Sequence, residues 1–177
     1  WDRVDVFLGD ERWVDYNDDL SNALMIRKTL LSEKPGSSAC FHPVPTPELS
    51  SPEESAVVYQ KVIQKTCKGN PPVFDLILLG IGEDGHTASL FPSTDSVHVK
   101  DRWTTVGIGK GQKRITLTAP VLSSARKVIF LVSGESKKQA LKRLVDPLES
   151  PDRTPAKLVQ PSGEILVLTD RDSASLL

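Results

Sequence analysis

The stretch from Phe74 to Pro92, FDLILLGIGEDGHTASLFP, constrains this chain more than any other. Its opening run, Phe74-Asp75-Leu76-Ile77-Leu78-Leu79, is short, apolar and without alternation, which suits a strand covered on both faces. Gly80, Gly82 and Gly85 follow, so the backbone can turn sharply and approach a ligand closely. Asp84 and His86 stand among them. Thr87-Ala88-Ser89-Leu90-Phe91 reads as a single helical turn stopped by Pro92. The product is a titratable imidazole at the C-terminal end of a buried strand, the edge where open α/β sheets bind ligands.

Two glycine-rich patterns mislead. Gly80 to Gly85 fits G-x-G-x-x-G directly after a strand, the dinucleotide fingerprint. That reading requires a full helix after the last glycine and a second strand ending in an acid. Pro92 arrives too early for the helix and no such strand follows, so no cofactor is expected. Gly109-Lys110-Gly111-Gln112-Lys113 lacks Gly-Lys-Ser/Thr and a strand–loop–helix frame, and reads as a flexible basic turn rather than a P-loop.

With 177 residues the chain is long enough for one domain, 1–177, with a sizeable core. Lys plus Arg total 22 against 23 for Asp plus Glu, a net charge of -1. That balance gives no reason to expect nucleic acid or an anionic membrane, so any anion site must be local. The apolar runs are far too short to span a bilayer. Cys40, Cys67 and three scattered histidines show no metal-ligand spacing, so no metal is expected. A reducing compartment follows from the cysteine usage, with the cytoplasm as the default location. The chain enters a strand directly after Trp1, with no signal or transit character, so an N-terminal segment is expected to be missing and any targeting signal with it.

Val4 to Leu8 reads as a buried strand, and Gly9-Asp10-Glu11-Arg12 leaves its C-terminal end. From position alone these charges form a solvated loop with a local salt bridge. Asp18 to Asn22 offers helix caps, with Leu20, Ala23, Leu24, Arg27 and Leu31 at helical spacing. Pro35 to Pro52 reads as a long connection, with His42 as a loop residue inside it. Ser51-Pro52-Glu53-Glu54 predicts a helix start with a capping box, and Ala56, Tyr59, Ile63 and Cys67 its buried face. Strands are predicted over 103–108, 114–118, 127–132 and 165–168, with short helices over 120–125 and 170–177. His98 falls in a polar connection and reads as surface. Ser133 to Ser136 turns into a helix holding Ala140, Leu141 and Leu144. Lys137 in its first turn opposes the helix dipole, which a bound anion would explain. Strands alternating with helices argue for an α/β fold, an open and mostly parallel sheet with helices on both faces.

GIGEDGHTASLFP resembles the signature loop of the 6-phosphogluconolactonases. Further stretches agree in the family's order: Gly9-Asp10-Glu11-Arg12 with Ser21-Asn22, Arg114-Ile115-Thr116-Leu117-Thr118, Gly134 with Lys137 and Ala140-Leu141, and Asp170-Arg171 with Ala174 and Leu176-Leu177. The resemblance covers essentially the whole chain. It implies the Rossmann-like fold shared with glucosamine-6-phosphate deaminases and ribose-5-phosphate isomerases. It also implies a preceding βα portion with a Ser-Gly-Gly loop, which has no match in this sequence. Departures stand at Asp15, where a proline is common, at Ser123-Ser124, and at Gly107 to Gly111 in place of a proline-rich turn. None removes a chemical group.

The implied activity is hydrolysis of 6-phospho-D-glucono-1,5-lactone to 6-phospho-D-gluconate in the oxidative pentose phosphate pathway, without metal or cofactor. The resemblance also raises a fusion to, or association with, a glucose-6-phosphate dehydrogenase. His86 is the expected general base and acid, because an imidazole is available near neutral pH. Asp84 either orients the ring or caps the following turn. Backbone N–H groups at Gly82 and Gly85 are candidates for stabilising developing charge. Arg12, Arg114 and Lys137 are the expected phosphate grip, with Asp10, Asn22 and Thr87 completing the pocket. A glucosamine-6-phosphate deaminase shares the DGH loop but usually continues Ile-Ala-Phe-Asn-Glu-Pro and carries DEY in place of DER. Both differences favour the lactonase. A non-catalytic sugar-phosphate-binding module is the third reading.

Overall fold

A computed structural model describes every residue of the chain except residue 47. Strand β1 (Asp5–Phe7) pairs in parallel with β3 (Cys40–His42). A second parallel ladder runs in the order β4 (Ile77–Leu79), β7 (Lys127–Val132), β8 (Glu164–Thr169). Strands β2 (Asp10–Arg12), β6 (Gln112–Leu117) and β5 (Thr104–Gly109) form an antiparallel ladder with β6 in the middle. Helices α1 (Asn22–Lys28), α2 (Pro52–Thr66), α3 (Ala119–Ser123) and α4 (Lys138–Val145) lie between them in sequence. The result is the expected α/β class, with one departure. The segments around the basic turn form a hairpin, because Lys110 (φ +52°) and Gly111 (φ +75°) adopt the left-handed pair that a two-residue hairpin turn requires.

The core follows from alternation. On β7, Val128, Phe130 and Val132 are buried, and their register partners Ile77 and Leu79 on β4 face the same way. The opposite face of this ladder leaves Leu78, Leu131 and Leu168 about half exposed. Helix α2 begins as its sequence predicts. The Ser51 side chain accepts the Glu54 N–H at 3.1 Å, and Pro52 occupies the first position. The Glu54 carboxylate, however, reaches Ser50 rather than Ser51, so the box is displaced by one residue. Tyr59 is buried on α2, and its hydroxyl accepts the Leu8 N–H (2.8 Å) and donates to the Leu8 carbonyl (3.0 Å). Burial pushes the phenol far above its ordinary pKa. This pair pins the end of β1, and so the departure of β2, to the core.

Several expectations are corrected. The 35–52 connection contains β3, so His42 is a strand residue; its ring stacks on Phe7 at 4.4 Å. Helix α1 starts at its Ser21 cap and ends at Lys28, leaving Leu20 and Leu31 outside it. Cys67 lies past the last turn of α2 rather than on its buried face. Residues 87–91 form no helical turn: Ala88 has φ +48°, and the Leu90 N–H returns to the Thr87 carbonyl at 2.9 Å. The 170–177 segment is a run of turns, not a helix. There the Asp170 carboxylate accepts from Ser133, Gly134 and Ser173, and such side-chain bonds compete with helix formation. No helix among the described residues is long and apolar enough to cross a membrane.

Candidate active site

A cleft of about 530 Å³ opens where the end of β4 meets the β2–β6 pair. Asp10, Arg12, Asn22, Gly82, Asp84, His86, Arg114 and Lys137 all line it. Gly85 and Thr87 are not among its lining. The Thr87 hydroxyl donates to the Gly80 carbonyl at 2.8 Å, and Gly85 accepts the Ala156 N–H at 3.1 Å, so both hold the loop rather than face the cleft.

The loop after β4 is built around the imidazole. His86 Nδ1 lies 2.6 Å from Asp84 Oδ1, which also accepts the His86 backbone N–H at 3.1 Å. Burial works to raise the Asp84 carboxyl, but these bonds and the neighbouring imidazole outweigh it and hold the group below its ordinary value. An ionised carboxylate can only accept, so Nδ1 carries a proton, and in the neutral ring the lone pair falls to Nε2. A Cβ at position 82 would overlap the His86 ring and stand 2.6 Å from Asp84 Oδ1, so only glycine permits this approach. The Gly82 N–H donates to the His86 carbonyl (2.8 Å) and the Gly85 N–H to the Gly82 carbonyl (2.9 Å). Both are therefore committed within the loop and unavailable to a ligand, contrary to the sequence expectation. Arg143 on α4 braces the loop from outside, donating to the Glu83 carbonyl at 3.0 Å and to the Thr154 hydroxyl at 3.2 Å.

Beneath the imidazole lies Phe91, with ring centroids 4.3 Å apart. The Arg114 guanidinium sits 5.4 Å from the centre of the same ring. Buried Gly109 of β5 closes against Phe91, where any Cβ would overlap the ring.

The cationic wall comes from strand register. Arg12 and Arg114 are direct cross-strand partners in the β2–β6 pair, and like charges placed so are unfavourable unless something anionic offsets them. Burial and the facing Arg12 push the Arg114 pKa down, with Asp10 and Glu11 working against that. Arg12 Nε and Arg114 Nε are buried without a hydrogen-bond partner among the described residues. Unmet guanidinium donors of this kind suit phosphate oxygens. Arg12 Nη1 is anchored to the Leu20 carbonyl at 2.5 Å. Asp10 is held by the Ser89 hydroxyl (2.5 Å) and lies 3.8 Å from Arg114 Nη1. Asn22 Nδ2 donates to the Asp10 carbonyl at 2.8 Å. Lys137 stands on the turn Glu135–Lys137 immediately before α4.

Sequence reasoning missed two residues here. Lys110, at the hairpin tip, also lines the cleft and adds a fourth basic side chain. Glu11 faces the other way from Asp10 and Arg12 and is only 1% exposed. Its carboxylate accepts the N–H groups of Arg12 (2.8 Å), Asn22 (2.7 Å) and Ala23 (2.7 Å), and the Ser21 hydroxyl (3.1 Å). A period-2 reading of Asp10-Glu11-Arg12 would have placed it inward.

Fold and cleft are those of an α/β protein with an imidazole and basic side chains in one cleft. Residues 1–168 match the family model described as glucosamine-6-phosphate isomerases/6-phosphogluconolactonase, and the chain belongs to that family. It is 42% identical over 180 residues to the 6-phosphogluconolactonase of Synechocystis, covering 100% of this chain and 75% of that relative. The 6-phosphogluconolactonase structure from Thermotoga maritima superposes with a TM-score of 0.81 at 30% identity, over 96% of this chain and 73% of that one. A monomeric glucosamine-6-phosphate deaminase, 20% identical, shares the fold with a TM-score of 0.76, over 95% of this chain and 73% of its own.

Proposed function

We propose that this chain hydrolyses 6-phospho-D-glucono-1,5-lactone to 6-phospho-D-gluconate, the lactonase step of the oxidative pentose phosphate pathway. The observation that carries the reading is the single cleft joining His86, its Nδ1 occupied by Asp84, to Arg12 and Arg114 with their unmet donors. The relatives named 6-phosphogluconolactonase support it.

In this mechanism the phosphate rests against Arg12, Arg114 and Lys137, which places the lactone carbonyl near the imidazole. His86 Nε2 takes a proton from water as its oxygen attacks the carbonyl carbon. The tetrahedral intermediate collapses with cleavage of the bond to the ring oxygen, and the imidazolium returns its proton to that oxygen. Asp84 holds the tautomer and offsets the transient positive charge. Since the Gly82 and Gly85 N–H groups are committed, charge on the carbonyl oxygen falls to the cations of the cleft. The reading takes residues 1–177 as one unit acting in the cytoplasm. It extends to fusion or association with a glucose-6-phosphate dehydrogenase, which would supply the lactone directly.

The test is lactone turnover by the chain beside His86→Ala. Loss of about two to four orders of magnitude is expected, the usual weight of a general base. Undiminished turnover removes His86 from the mechanism. Ammonia release from glucosamine 6-phosphate, with no lactone turnover, would assign the cleft to a deaminase instead.

A further inference from the structure

Away from the cleft, at the start of β1, three side chains of different chemistry converge on one face of the β1–β3 ladder. Asp5 is the register partner of Cys40, and Phe7 that of His42. Side chains two apart on a strand share a face, so Asp5, Cys40 and His42 project together. Stacking on Phe7, with ring planes 10° apart, fixes the imidazole. His42 Nε2 points at Asp5 Oδ1, 2.7 Å away. The carboxylate oxygen, the ring nitrogen and Cys40 Sγ all lie within 4.8 Å of one another.

We propose that Asp5, Cys40 and His42 form a binding site for a divalent ion of the zinc class. A carboxylate, an imidazole and a thiolate are the donors that zinc accepts, and a set with only one oxygen side chain does not suit calcium or magnesium. Tetrahedral coordination at ordinary zinc bond lengths sets donors about 3.3–3.8 Å apart. The present spacing therefore needs side-chain adjustment only, with water as the fourth ligand. The proton balance is simple. Cys40 releases its proton to solvent on binding. The ion replaces the proton between His42 Nε2 and Asp5 Oδ1, so the ring binds as the neutral tautomer protonated at Nδ1. Two three-residue strands make a marginal ladder, and an ion bridging them would clip β3 to β1. None of its three residues lines the cleft, and Asp10 and Arg12 of the cleft follow the other end of β1 in sequence. Spacing along the chain does not reveal it, because its ligands come from two strands separated by α1.

The experiment adds Co²⁺ alone to the metal-free chain and follows thiolate-to-cobalt charge transfer in the near ultraviolet. The band should saturate at about one ion per chain, vanish in Cys40→Ser and His42→Ala, and persist in Cys67→Ser. Asp5→Asn should weaken binding at least about tenfold. Zn²⁺ should bleach the band and raise the melting temperature of the native sequence but not of Cys40→Ser. Far-ultraviolet circular dichroism identifies any variant that fails to fold, and His42→Ala then decides in its place. Absence of the band, or its survival in either Cys40→Ser or His42→Ala, overturns the proposal.

Discussion

His86 Nδ1 and Asp84 Oδ1, two positions apart in sequence, stand 2.6 Å from one another, with Gly82 packed against both groups. The carboxylate therefore decides which ring nitrogen is free. Asp84→Asn can present an amide N–H to Nδ1 and favour the tautomer protonated at Nε2. The expected outcome is a kcat lower by about a hundredfold or more with KM nearly unchanged, because Asp84 orients the base rather than gripping the phosphate. Steady-state kinetics on the phosphorylated lactone would check this. A change confined to KM would contradict it.

Arg12 lines the cleft, and its buried Nε has no hydrogen-bond partner among the described residues. A hydrogen bond to a charged group is worth about 1.5–3 kcal/mol, or about ten- to a hundredfold in an equilibrium constant. Arg12→Ala is expected to lower kcat/KM for the phosphorylated lactone by about that factor. Turnover of the unphosphorylated lactone should stay within about threefold. Equal losses on both substrates would show that Arg12 does not read the phosphate.

One buried Glu11 carboxylate accepts four hydrogen bonds, one from Arg12 on β2 itself and three that tie β2 to the start of α1. Glu11→Gln turns one acceptor into a donor facing N–H groups. A loss of about 1–3 kcal/mol in urea denaturation is expected. KM should rise as well, since Arg12 and Asn22 depend on that carboxylate for their position. An unchanged denaturation midpoint would refute the assignment.

Asp170 receives the Ser133 hydroxyl, the Gly134 and Ser173 N–H groups and the Ser173 hydroxyl. These bonds hold its carboxyl far below the ordinary 3.8, the Ser133 hydroxyl most of all. A depressed folded-state value means a stabilisation fully present above 3.8 and lost as pH falls below it. The native sequence should exceed Asp170→Asn in stability at neutral pH, and the gap should shrink only once pH drops through that value. Denaturation midpoints measured across acidic pH would test this, and a gap independent of pH would sink it.

The cleft was legible where local chemistry dominates. The glycine-flanked Asp84 and His86 stood out by residue type, whereas Arg12 and Arg114 came from the family resemblance, because position alone reads the charges after β1 as a solvated loop. What escaped detection depends on pairing. Nothing local marks Cys40–His42 as a strand, because a three-residue strand next to prolines carries no periodicity and exists through its partner β1. The 87–91 turn looked helical by composition, yet Ala88 takes a left-handed conformation under the bridge between Thr87 and Leu90. Apolar spacing extended α1 at both ends, while the Ser21 cap set its true start. Asp170 to Leu177 contains adequate helix formers, but the Asp170 carboxylate engages partners on a distant strand end.

Phe91 touches the imidazole on one side and the Arg114 guanidinium on another, and Gly109 presses against its edge. The hairpin is thereby geared to the proton-transfer atom through one phenyl plate. At Gly111 an added methyl would meet nothing within 4 Å, so its cost there is the left-handed backbone alone (φ +75°). The same methyl at position 109 would tilt the plate and swing the imidazole and the guanidinium resting on it. Two glycines separated by one lysine are thus needed for different reasons, one for its backbone and one for its bareness, and a silent-looking change far along the chain would register first in the chemistry.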